Sequence, residues 1–90
     1  MRHERIKIDP AVMMGKPCIA GTRITVEHLL REFANGMTDA DIVEAHPNLS
    51  LDDLHAAQAY AADVLRQIWL TTQPANPTSH ATRGLYPRSS

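Results

Sequence analysis

Polar and apolar residues alternate along Arg5-Ile6-Lys7-Ile8, the period-two signature of a half-buried strand. Asp9-Pro10 ends that run, because proline fixes φ and gives up a ladder donor. A second extended pair is expected at Cys18-Ile19 and Arg23-Ile24, joined through Ala20-Gly21-Thr22, with a bend at Gly15-Lys16-Pro17 before it. The result is an irregular hairpin or three-stranded meander, with Ile6, Ile8, Ile19 and Ile24 facing inward.

The period then changes. Thr25 is suited to cap a helix in which Val26, Leu29, Leu30 and Phe33 recur at helical spacing, and Asn35-Gly36 closes it. Thr38 to Asp41 reads as a capping-box start, with Asp in place of the usual Glu. That second helix carries Ile42 and Val43 and stops at His46-Pro47. Ser50 to Asp53 repeats the start signal for a third helix, from Leu51 to about Leu70 and roughly 30 Å long. Along it Leu54, Ala57, Ala61, Val64, Leu65 and Ile68 make one stripe, opposite Asp52, His55, Ala59, Ala62, Asp63, Arg66 and Gln67. From Thr71 the pattern gives way to small polar residues with Pro74 and Pro77, which cannot bury enough surface to order themselves. The expected architecture is mainly α with a small N-terminal β-hairpin, a three-helix helix-turn-helix unit over residues 1–70 and a disordered tail over 71–90.

Composition narrows the class. Aromatic residues make up 4% of the chain, so the core must be aliphatic. The lone Cys18 forbids an internal disulfide and fits a reducing compartment. The charged start leads into no apolar run of signal-peptide length, and no stretch approaches the ~18 apolar residues of a membrane span. A cytoplasmic chain is expected. Its net charge of −1 conceals a segregation: residues 1–25 net +3, residues 26–70 net −6 and the tail +2.

Three helices with a four-residue connection between the second and third make a helix-turn-helix arrangement, which would offer the third helix to a DNA groove. Asp52 and Asp53 in its first turn oppose that use. Phosphate contacts would fall instead to Arg2, Arg5, Lys7, Lys16 and Arg23, with His55 on the helix itself. Two-fold symmetry would double the patch, and one subunit alone would bind weakly.

Catalysis finds little support. Cys18 beside Pro17 reads as a buried strand position, and the pairs Asp39/Asp41 and Asp52/Asp53 sit where helix caps account for them. His28, His46 and His55 are spaced by 18 and 9 residues, none is expected to form an HxxxH or HxxxE pair on one helical face, and neither a metal site nor a cofactor is expected from them. The expectation is a non-enzymatic binding protein.

Several segments carry a resemblance. Ile8-Asp9-Pro10, the run from Gly15 through Gly21-Thr22-Arg23 to Ile24, Val26 to Thr38, and His46-Pro47-Asn48-Leu49 resemble the bacterial domain-of-unknown-function family 433, over roughly residues 5–68. The family often has glycine where this chain has Met14. Gly21 suits a turn needing positive φ, Thr22 can bond back to that turn, and Arg23 can clamp carbonyls at a helix end or face a phosphate or carboxylate.

The resemblance implies an antitoxin of the VapB kind, which dimerises, neutralises a PIN-like ribonuclease toxin and represses its own operator DNA. Such nucleases hold divalent metal in a carboxylate pocket, which an arginine-bearing segment can enter. Arg83 and Arg88, anchored by Leu85 and Tyr86, suit that task, with Trp69 beginning the contact. The alternative is a stand-alone helix-turn-helix transcription repressor without a toxin partner.

Overall fold

A computed structural model describes residues 3–72 of the chain. The elements run β1 (Ile6–Lys7), β2 (Cys18–Ile19), α1 (Val26–Ala34), α2 (Asp39–Ala45) and α3 (Leu51–Thr72). The expected architecture, three helices behind a small antiparallel hairpin, is what forms. The expected tail begins at residue 71, but Thr71 and Thr72 are the last residues of α3; the rest of the expected tail, 73–90, lies outside the described residues.

Ile6 pairs with Ile19 and Lys7 with Cys18, while Cys18 also bridges to Thr25 on its other side. Cys18 thus sits in the middle of the rudimentary meander, and it is buried as expected. The turn behind it closes through Ile19 N–H donating to Ile24 O at 2.9 Å. Gly21 takes φ of +81°, and the Thr22 hydroxyl donates to Ile19 O at 2.8 Å while accepting from Ile24 N–H at 3.0 Å. Both residues do what the turn asks of them.

One inward assignment fails. Ile8 is 59% exposed. β1 ends at Lys7, and Asp9 then folds the chain through an Asx turn, accepting from Ala11 N–H at 2.9 Å. The strand is too short to carry the alternation one position further. Between the strands lies a 3₁₀ turn, Met13–Gly15, with positive φ at all three residues. Only Gly15 takes that conformation without cost.

The helix boundaries follow their caps. Thr25 accepts from His28 N–H at 2.9 Å, and Thr38 and Asp41 form the full reciprocal box. Ser50 and Asp53 form a second box, at 2.9 and 3.2 Å. At the end of α1, Met37 N–H reaches Glu32 O and Gly36 N–H reaches Phe33 O, a Schellman arrangement that needs the +94° φ of Gly36.

The core is aliphatic. Leu29, Ile42, Leu54 and Ala57 are fully enclosed, with Ile6, Ile19, Val26 and Leu49 around them and Phe33 and Tyr60 at the edge. Each fully buried leucine or isoleucine contributes about 1.5–3 kcal/mol over leaving it in water. Burial along α3 stops early: Leu54 and Ala57 are enclosed, and every residue from Leu65 to Thr72 is exposed. Two residues of the anticipated inward stripe, Leu65 and Ile68, therefore face away from the chain's own core. None of the helices among the described residues is long and apolar enough to cross a membrane.

Candidate functional site

The basic residues nominated for phosphate contact are dispersed. Arg5 is drawn to the N-terminus of α3, where its guanidinium lies 2.9 Å from Asp53 Oδ1 and 3.7 Å from Asp52 Oδ2. Lys16 pairs with Glu27 at 3.3 Å, and Arg31 holds the same carboxylate at 3.0 Å. The hydrogen bond from Arg31, and then that from Lys16, keeps the Glu27 carboxyl below its ordinary range. Lys7 and Arg23 are brought together, lining a cavity of about 460 Å³ with Asp9, Cys18 and Thr22. Arg23 makes no hydrogen bond or ion pair among the described residues, so the expected carbonyl clamp does not form there. His55 is exposed on α3, and Arg2 lies outside the described residues.

The distal half of α3 carries a run of exposed apolar side chains. Leu65, Ile68 and Trp69 follow one another at i, i+3 and i+4, and all are exposed, Trp69 at 58%. Leu70 is exposed beside them. This stripe runs into a shallow groove of about 300 Å³ between α1 and α3, walled by Pro17, Val26, Leu30, Tyr60, Val64 and Leu65. Trp69 was nominated for partner contact and stands on this stripe; Arg83, Leu85, Tyr86 and Arg88 lie outside the described residues.

A third group was passed over in the sequence. His28 and Glu32 are one turn apart on α1, and His46, at the C-cap of α2, comes to meet them. Glu32 lies 3.1 Å from His46 Nε2 and 3.4 Å from His28 Nε2. The expectation that no histidine forms an HxxxE pair on one helical face fails here, because His28-x-x-x-Glu32 has that spacing and the two side chains meet.

Residues 6–61, more than half of the chain, match the family described as "Protein of unknown function (DUF433)". The chain belongs to the DUF433 family. A solved structure agrees: the crystal structure of a DUF433 member from Anabaena variabilis superimposes with a TM-score of 0.66 at 34% sequence identity. That match covers 71% of this chain and 63% of the Anabaena protein, so this DUF433 chain spans less than two thirds of its relative's length. No curated protein matches. The DUF433 match ends at residue 61, where α3 leaves the core, so the exposed stripe belongs to the part of the chain beyond the family domain.

Proposed function

We propose that this chain is the antitoxin of a type II toxin–antitoxin pair, neutralising a PIN-like ribonuclease by direct binding. The observation that carries this reading is the unpartnered apolar stripe Leu65-Ile68-Trp69 on a helix that continues well past its own core. An isolated helical half this apolar gains from being covered, and a groove-lying amphipathic helix is a common way of gripping another protein. The stripe points the chain towards residues 73–90, where Arg83 and Arg88 would supply the cations for a carboxylate-lined nuclease pocket. The protein acts as a homodimer, through β1 or the far half of α3, and contacts operator DNA only through what symmetry doubles. Repression without a toxin is the weaker reading, because Arg5 and Lys16 are engaged by carboxylates of the same chain and Asp52 and Asp53 open α3.

The test is co-expression with the PIN-like product of the adjacent gene, followed by affinity measurement on the purified pair. A complex that forms at micromolar concentration or below, abolishes RNA cleavage and is weakened by Leu65→Asp or by ending the chain at Thr72 supports the proposal. A pair that does not associate at that concentration refutes it. A steep salt dependence of binding to upstream DNA, with no toxin association, would favour the repressor instead.

A further inference from the structure

Glu32 is a carboxylate with little access to solvent, its side chain 16% exposed, and among the described residues no lysine or arginine pairs with it. Its partners are two imidazoles, those of His46 and His28. A carboxylate and two imidazoles held together with little access to solvent are a donor set of the kind that ligates a transition-metal ion.

The geometry suits one. Glu32 Oε1 stands 3.1 Å from His46 Nε2, and Glu32 Oε2 stands 3.4 Å from His28 Nε2. The two rings meet edge to face, centroids 5.7 Å apart, and the three ligand atoms all lie within 4.8 Å of one another. Metal–ligand bonds of about 2.0–2.1 Å put adjacent donors about 3.3–3.4 Å apart around a tetrahedral ion. Glu32 Oε2 is already at that separation, 3.3 Å from His46 Nε2 and 3.4 Å from His28 Nε2, and a rotation of the half-exposed His28 ring would close the third edge.

We propose that His28, Glu32 and His46 bind a divalent transition-metal ion of the zinc class. Two imidazoles and one carboxylate suit zinc, cobalt or nickel and exclude magnesium and calcium, which require oxygen donors. The ion joins α1 to the C-cap of α2, and so fixes the turn that leads into α3. A cavity of about 310 Å³ beside the two histidines, lined also by Lys16, Arg23 and Thr25, leaves room for an exogenous ligand. Lys16 is balanced by Glu27; Arg23 is not balanced, and it favours an anion at the remaining coordination position. This inference does not depend on the antitoxin reading.

Isothermal titration of the full chain with zinc chloride, and optical titration with cobalt chloride, tests it. The expected result is one ion per chain, visible cobalt bands of a four- or five-coordinate site, and a higher thermal midpoint with metal present. His28→Ala, Glu32→Gln and His46→Gln should each lower affinity by at least ~10-fold, and His55→Ala should leave it unchanged. His28 is half exposed, so its variant keeps the test decisive if His46→Gln or Glu32→Gln does not fold. Absence of binding at millimolar metal, or binding that survives His28→Ala undiminished, overturns the proposal.

Discussion

Arg5 and Asp53 are 48 residues apart in the chain and 2.9 Å apart in the fold. Asp53 has two duties at once: one carboxylate oxygen takes the Arg5 guanidinium, and the other accepts Ser50 N–H to cap α3. The contact ties the hairpin to the start of the longest helix, alongside a second tie in which His3 meets Asp63 at 2.8 Å and stacks edge-on against Tyr60. Replacing Asp53 by Ala removes both duties and should cost about 1–2 kcal/mol. Arg5→Ala should cost less than 1 kcal/mol, given that the guanidinium is half exposed. A double-mutant cycle read by urea unfolding gives the coupling; additive losses would show that the pair contributes nothing beyond its members.

The pH dependence follows from the same carboxylate. Burial raises the Asp53 pKa, but the Ser50 N–H, the Arg5 guanidinium and the Ser50 hydroxyl outweigh it, and the net shift is downward. Asp41 is lowered first by the Thr38 N–H and Glu27 first by Arg31. A carboxyl whose folded pKa lies below its unfolded value, about 4, contributes stability that is complete above that value. The contribution is lost as pH falls through the folded pKa. Urea midpoints at pH 7, 4.5 and 3 should therefore show an acid limb below about pH 4 that becomes shallower in Asp53→Asn.

Met14 is held at φ of +58°, a conformation in which a side chain costs about 1–2 kcal/mol relative to the right-handed region. It is also 88% exposed, so its own contacts return little. Met14→Gly should raise stability by about 0.5–1 kcal/mol after allowing for the extra freedom of the unfolded chain, and the melting temperature by a few degrees. An unchanged or lower midpoint would mean that the methionine makes a contact elsewhere.

Leu54 is wholly enclosed where α3 crosses the core. Leu54→Ala should cost about 2–5 kcal/mol, enough to unfold much of so small a domain at 37 °C. Ile68→Ser, on the same helix, should change the stability of the isolated chain by no more than about 0.5 kcal/mol while weakening partner binding. Circular dichroism melts of the two variants separate the part of α3 that holds the fold from the part that is free to serve another molecule.

Local signals were read well from the sequence. The caps at Thr25, Thr38 and Ser50 act through atoms three residues away, so spacing alone locates them. Gly21 and Thr22 are likewise a matter of one turn. What spacing could not give was the length of β1, which left Ile8 outside, or the reach of the core along α3. Leu65 and Ile68 keep the helical period of Leu54 and Ala61, and periodicity marks an apolar face without saying whose surface covers it. The meeting of His28 and Glu32 with His46 depends on how α1 and α2 cross, although the i, i+4 half of that cluster was visible in the sequence.

Cys18, with its thiol donating to Lys16 O and 3% of its surface open, is the single sulfhydryl in the chain. With so little of it open, a thiol-specific dye reacts with it chiefly when the strands on either side of it part. The labelling rate of the untouched protein therefore clocks the breathing of the hairpin.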